Sequence, residues 1–507
     1  MAGRTLQRVV VFLGLAALPS AAWAGGFDTG ENGPRAMGRA GAYAASVDEP
    51  SALYYNPAGL TRSRGLAATV NLNLIRADVE FQRDPYVITP GVSPELPIYR
   101  EVQFAPVENE AGFYPAPMLF MSHDFGLENW TFAAGVYGPS AVGRMSFPEM
   151  STAVPTAESD RARDGGQSYS IVSADLLLFY PSLAAAYRFD PLNLSVGLTL
   201  QAAVLDVDYR VGADGLNGPG SANSRSTETP QLYSPNELAV RGATGTGILG
   251  VMWDPTPNLS FGASYRPRFK IKARGDISVE FPEELVPQGP FINDTGAQLT
   301  TRLPDVVRLG AVYRSLDADG NENWDIEANV VYEGWSINEG FQVELDGRLE
   351  TATEAINPQA LPDLFLGRYY QDTVSVRVGS DLSMLRNENG NGPVFRLGGS
   401  WESNGTPNEW TNLDFMPFMR ITGTAGMSYH FGSFAVDVAG GYVFSPERTV
   451  ENGQYELLAP LWVCANPVTS ERPEACNEPG LDPTHAVNSG TYKVGFPMMS
   501  FGLTYGW

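Results

Sequence analysis

Three spacings in the chain could carry chemistry. Gly245-Thr246-Gly247-Ile248-Leu249-Gly250 has the G-x-G-x-x-G spacing of a dinucleotide-binding loop, whose glycines let the backbone approach a pyrophosphate at a helix N-terminus. Val251-Met252-Trp253-Asp254-Pro255 follows where that helix would have to begin, so these read as strand glycines. Asp317-Ala318-Asp319-Gly320-Asn321 opens like a calcium loop, but no carboxylate completes the required spacing, and a solvated turn is expected. His123, His430 and His485 are far apart, none belongs to H-E-x-x-H, and G-x-S-x-G is absent. The expectation is a protein that is not an enzyme, with no catalytic residues, no cofactor and no metal site. A hydrolase assembled from distant Ser, His and Asp is the enzymatic alternative.

The 507 residues carry 33 Lys+Arg against 57 Asp+Glu, a formal net charge of -24, which argues against nucleic acid as a partner. With 43% apolar and 11% aromatic residues the chain is too rich in large apolar groups for disorder, and 18% charged residues is low for a helical protein. Cys464 and Cys476 are the only cysteines, which excludes a cysteine-rich metal centre and leaves one local disulfide between them.

Residues 1–24 read as a cleaved export signal: Arg4 and Arg8 precede the apolar run Val9 to Leu18, and Ala22-Trp23-Ala24 supplies the small-residue cleavage site. That run is too short for a spanning helix, which needs about 20 apolar residues. No later window offers one, since Leu176 to Phe189 is interrupted by Pro181 and carries Tyr180, Ser182 and Tyr187. Spanning strands remain open.

The hydrophobic period is two, and successive side chains of a strand point to opposite faces. Ile421, Gly423, Ala425, Met427, Tyr429 and Phe431 alternate with Arg420, Thr422, Thr424, Gly426, Ser428 and His430. Phe434, Val436 and Val438 continue the pattern after Gly432-Ser433, a hairpin-length turn that makes the two strands antiparallel neighbours. Trp324, Ile326, Ala328, Val330 and Tyr332 alternate with Asp325, Glu327, Asn329 and Glu333. Leu194, Val196, Leu198 and Leu200 do so with Ser195, Gly197, Thr199 and Gln201, and a phase slip at Val204-Leu205 reads as a β-bulge that returns Asp206 and Asp208 to the polar side.

From Gly65 onward, connections alternate between short and long. Short ones fall at 126–128, 190–192, 254–257, 317–323, 386–392 and 432–433; long ones fall at 84–112, 141–167, 212–238, 282–302, 347–371, 402–416 and 445–495. Strict alternation of six short and seven long connections requires fourteen strands with both ends on the short-turn side. This is the organisation of an outer-membrane barrel, with periplasmic turns and long outer loops. Closure satisfies every backbone group, as a bilayer demands. The fold class is therefore all-β: a fourteen-stranded antiparallel transmembrane β-barrel over residues 65–507. Phe501, Leu503, Tyr505 and Trp507 form its last apolar face.

Residues 25–64 precede the first strand and contain Gly38-Arg39-Ala40-Gly41-Ala42-Tyr43-Ala44, then Tyr54-Tyr55-Asn56-Pro57-Ala58-Gly59-Leu60. Pro57 fixes its own φ, lacks an N–H donor and pushes Asn56 out of the helical region, so a defined turn is expected. This order and spacing resembles the hatch of the FadL/TodX family of outer-membrane transporters for long-chain fatty acids and other hydrophobic compounds. Leu303-Pro304-Asp305, Tyr265-Arg266-Pro267 and Tyr332-Glu333-Gly334-Trp335-Ser336 extend the resemblance along the barrel. It implies that residues 25–64 plug the lumen, with Gly38, Arg39, Ala40, Asn56, Pro57, Ala58 and Gly59 in gating roles. It also implies capture of cargo among outer loops, a lumen pocket, and release sideways through a gap beside a kinked strand.

The segment Trp130 to Ser140 holds Gly135, Gly138 and Pro139, and Pro139 cannot donate to a ladder. These residues either permit such a gap or merely end the strand. Arg308, Arg377, Arg396 and Arg420 fall at polar positions of alternating strands, where they could meet a cargo carboxylate or pair with inward Asp325, Glu327, Glu333 and Asp437. Lys270 and Lys272 form a basic rim that could face lipopolysaccharide. The expected function is passive transport of hydrophobic molecules, foremost long-chain fatty acids, with aromatic hydrocarbons or a general porin as alternatives. The expected surroundings are outer-membrane lipid, lipopolysaccharide and the barrel-assembly machinery.

Overall fold

The computed structural model describes residues 30–88, 100–138, 143–149, 164–214, 233–281, 290–351, 359–361, 363–387, 389–455 and 486–506. The export signal, Pro139, Cys464, Cys476 and Trp507 lie outside the described residues.

Fourteen strands close a single antiparallel barrel. In chain order they are β1 (Leu66–Ile75, continued by Asp78–Arg83), β2 (Tyr114–His123), β3 (Trp130–Tyr137), β4 (Ser173–Phe189), β5 (Leu194–Asp214), β6 (Tyr233–Thr256) and β7 (Leu259–Arg266, continued by Phe269–Val279). They continue with β8 (Gly296–Leu303, then Val306–Leu316), β9 (Glu322–Glu333, then Gly340–Leu345), β10 (Leu364–Gly367, then Thr373–Leu382), β11 (Gly392–Glu402), β12 (Arg420–Phe431), β13 (Phe434–Val450) and β14 (Gly490–Tyr505). Each strand pairs with its neighbours, and β1 closes on β14 from Ala68↔Tyr505 to Ile75↔Met498. No helix among the described residues is long and apolar enough to cross a membrane, and the crossing elements are strands.

The alternation read from the sequence sorts inside from outside. On β12, Arg420, Thr422, Thr424, Ser428 and His430 are buried while Ile421, Met427, Tyr429 and Phe431 are exposed to the lipid side. Aromatic side chains cluster at the short-turn end: Trp253 against Phe261, Tyr313 against Trp324, and Phe434 against Phe431 and Tyr505. Such a girdle marks a membrane interface.

One expectation fails. There is no bulge at Val204-Leu205: β5 pairs with β6 in unbroken register from Leu194↔Trp253 to Asp214↔Tyr233. Leu205 and Val207 face the lumen, and Asp206 and Asp208 point outward. Both faces change character along the same strand. The inner face passes from Ser195, Thr199 and Gln201 to Leu205 and Val207, while the outer face passes from lipid to water, so an exchange of polarity mimics a slip of phase.

The N-terminal segment lies inside the barrel. Helix α1 (Pro34–Met37), helix α2 (Ala52–Tyr55) and a 3-10 turn (Pro57–Arg62) are buried along almost their whole length. Wall glycines make room for its backbone. A Cβ on Gly197 would stand 2.3 Å from the Pro57 carbonyl carbon, and one on Gly398 would stand 2.2 Å from that of Arg39.

Candidate functional site

The plug is held by polar groups on the lower, short-turn half of the lumen. Arg39 is almost fully buried and donates to Asp325 at 2.8 and 2.9 Å, to Glu327 at 3.4 Å, to the Ala42 carbonyl at 3.0 Å, and also to Asp381. Gly38 packs its Cα against Gly426, and Ala40, at a left-handed φ of 49°, donates its N–H to Thr424 Oγ1 at 3.0 Å. Glu327 also accepts from the backbone N–H groups of Ala45 and Ser46, and Asn329 from those of Tyr43 and Ala44. A loop with unpaired backbone groups is thereby satisfied by the wall, which buried polar groups require.

Asn56 is the second anchor. Its Nδ2 donates to the Ala44 carbonyl at 2.9 Å and to the Val251 carbonyl at 3.0 Å, while its Oδ1 accepts from the Ala58 N–H at 3.2 Å. The same Asn56 Oδ1 would lie 2.2 Å from a Cβ on Gly250, so the plug's Asn-Pro turn and the wall glycine fit only together. Gly59 leaves no space for a side chain beside Val47. Glu49, beside Arg35 at 3.3 Å and Ser51 at 2.6 Å, has its carboxyl raised above the usual range, chiefly by burial, which Arg35 offsets only in part.

The four lumen arginines have different surroundings. Arg377 contacts Glu31 of the plug at 3.3 Å and Glu402 at 3.6 Å; Arg420 contacts Glu402 at 2.6 Å; Arg396 contacts Asp381 at 2.9 Å and Asp437 at 3.8 Å. Arg308 differs. It donates through Nη2 to Tyr54 Oη of the plug at 2.9 Å and lies 4.7 Å from that ring, and its buried Nη1 has no hydrogen-bond acceptor among the described residues.

Above this polar half the lumen turns apolar. Leu176, Leu178, Leu205, Val207, Leu299, Phe341 and Phe415 line a cavity that encloses about 60 Å³. At its far end Asp414 pairs with Arg368, both buried, and Arg368 stacks on Tyr455 at 4.8 Å.

Among the described residues, strand pairing lapses in the wall beside this cavity. β3 pairs with β4 as far as Tyr137↔Tyr180, and pairing with β4 resumes at Arg144↔Asp175. β2 pairs with β3 only from His123↔Phe132 to Leu119↔Val136, so Tyr114 to Met118 have no partner on β3 among the described residues. A second cavity of about 240 Å³ lies there, lined by Tyr114, Pro115, Pro117, Val136, Gly138, Leu177 and Phe179. Gly143, Leu176 and Leu178 line both cavities. Gly138 lies at this lapse in pairing, whereas Gly135 still pairs with Phe120 and its Cα faces Leu53 of the plug.

Pro115 and Pro117 were missed by sequence reasoning, although two prolines inside one strand are a legible sign of a weak edge. The Arg368–Asp414 pair was missed because both residues stand in irregular segments where no periodicity points inward.

These features define a class: an outer-membrane barrel whose own N-terminal segment occupies the lumen, beneath an apolar lumen cavity. The chain belongs to the outer membrane protein transport protein (OMPP1/FadL/TodX) family, whose model matches residues 15–460. A Pseudomonas aeruginosa FadL homologue of known structure superposes with a TM-score of 0.66 at 16% identity, over 95% of this chain and 100% of that one. The Pseudomonas putida toluene transporter TodX superposes at 0.58 and 16% identity, over 94% and 98% of the two chains. A Neisseria meningitidis serogroup B protein named as an outer membrane protein is 31% identical over 84 residues, which is 17% of this chain and 18% of that protein.

Proposed function

We propose that this transporter carries long-chain fatty acids from the outer face through the apolar cavity and out through the wall beside β3. The observation that carries the reading is the sharing of Gly143, Leu176 and Leu178 by the lumen cavity and the wall cavity. Each methylene moved from water into such a lining gains about 0.8 kcal/mol, so an apolar route suits a long tail better than a water-filled pore. The lumen cavity is narrow, so a tail has to displace lining side chains to enter it.

Arg308 supports a carboxylate headgroup. It is the one of the four arginines with neither a carboxylate partner nor a full set of acceptors among the described residues, and a guanidinium fork suits a carboxylate. The other three serve the plug and the wall. Transport is passive on this reading, and residues 25–64 act as the hatch.

A neutral aromatic hydrocarbon is the second reading. It is favoured by the Arg368–Asp414 pair, which presents no net charge to the cavity, and by the toluene named for the Pseudomonas putida relative. The test is uptake of radiolabelled oleate and of toluene by deletion cells with and without the protein. Protein-dependent oleate uptake supports the first reading, toluene uptake alone supports the second, and steady ion conductance with neither uptake would sink both.

A further inference from the structure

The outward face of the wall carries a basic patch on the upper parts of β7 and β8. Lys270, Lys272 and Arg274 take successive outward positions after the kink at Pro267, all exposed, and Arg302 stands directly opposite Lys270. One strand away, Arg241 stands directly opposite Arg274. Arg241 is met by Asp206 and Arg274 donates to Gln298, so the like-charged pair left without a counter-charge is Lys270 opposite Arg302, an arrangement that repels unless an anion comes between them.

This occurs in a chain of net charge -24 with only three lysines. The third, Lys493, pairs with Glu80 at 2.8 Å, and the lumen arginines of the plug seat are met by carboxylates. Lys270, Lys272 and the Arg302 side chain have no hydrogen-bond or ion-pair partner among the described residues. Three carboxylates on the same face are engaged: Asp206 by Arg241, Asp276 by Thr295 at 2.8 Å and Glu344 by Gln298 at 2.6 Å.

The height is also informative. From Trp253 of the lower aromatic girdle to Arg241 along β6, a strand tilted by about 40° climbs roughly 30 Å, slightly more than the ~25 Å apolar band of such barrels. The patch thus faces the level at which outer-leaflet headgroups begin.

We propose that Lys270, Lys272 and Arg302 form a binding site for the phosphate groups of the outer leaflet's glycolipid, with Arg274 at its rim. The phosphate lies between the opposed Lys270 and Arg302 and removes their repulsion, while the acyl chains run down the apolar wall below.

The experiment uses the purified full chain in detergent and follows binding by native mass spectrometry. The probes are lipid A carrying both phosphates, the same lipid after phosphatase treatment, and inorganic phosphate as competitor. We expect at least tenfold weaker binding of the dephosphorylated lipid by wild type. We expect a similar loss of phosphorylated lipid in Lys270→Gln/Lys272→Gln/Arg302→Gln, none in Lys493→Gln, and no displacement by millimolar phosphate. Equal binding of the two lipids by wild type would overturn the proposal without recourse to any variant, as would undiminished binding by an assembled triple variant. Displacement by inorganic phosphate would reassign the patch to free anions. Cargo uptake is read separately, so either idea can fail alone.

Discussion

Arg39 of the plug and Asp325 of β9 are 286 positions apart in sequence and joined by two hydrogen bonds of 2.8 and 2.9 Å in the lumen. Removing one partner of a buried pair leaves the other charge uncompensated, typically at a cost of about 3–5 kcal/mol. Arg39→Gln leaves Asp325 without its cationic partner, while Asp381 keeps Arg396 and Glu327 keeps the N–H groups of Ala45 and Ser46. The expected result is a plug that no longer seats in a barrel that still assembles, seen as raised ion conductance in planar bilayers with unchanged heat-modifiable gel mobility.

The Asn56 anchor predicts a milder effect. Asn56→Ala loses two donated bonds and one accepted bond, and each unsatisfied buried partner costs roughly 1–3 kcal/mol. Gly250→Ala attacks the same contact from the wall side, where the new Cβ meets Asn56 Oδ1. Both variants should accelerate hydrogen exchange across residues 44–60 while leaving β12–β13 protected. Unchanged exchange in both would show that the turn is held by something else.

Much of this was legible in the sequence, for a physical reason. On strands such as β9 and β12, every second residue faces lipid and the next faces a polar lumen, so the period-two signal is clean. It weakened on β5, where the lumen turns apolar at Leu205 just as the outside turns polar at Asp206. The plug was recognisable because Asn56-Pro57 and Gly38-Arg39 are local signals. Its partners Asp325, Asp381 and Gly250 were not, since contacts across the lumen leave no trace in local spacing. Where pairing lapses among the described residues, Gly138 on β3 and Pro115 and Pro117 on β2 are local signals of a weak edge, but no spacing shows that they face one another.

Glu49 gives the plug a pH dependence of defined sign. Burial raises its carboxyl above its ordinary value of 4.5, with Asp437 and Asp48 adding to the rise and Arg35 and Ser51 opposing it. The folded plug therefore binds this proton more tightly than the unfolded chain, so stability should rise as pH falls from neutrality through the raised value and level off near 4.5. Glu49→Gln should flatten that limb in a pH series of protease sensitivity of the plug. A limb of opposite slope that vanishes in the variant would contradict the burial argument.

Arg308 separates the two cargo readings. Arg308→Gln keeps a donor for Tyr54 but removes the charge, and oleate uptake should fall at least fivefold with toluene uptake unaltered. Equal effects on both would assign Arg308 to the plug alone.

On the proposed route, cargo passes from the lumen cavity to the wall cavity past Leu178, which lines both. Leu178→Trp should fill that passage. The decisive measurement is uptake of radiolabelled oleate and toluene by cells carrying the assembled variant. Uptake of whichever compound the wild type admits should fall to the level of empty cells, with conductance unchanged. Wild-type uptake through an assembled Leu178→Trp barrel would contradict it and place the route elsewhere.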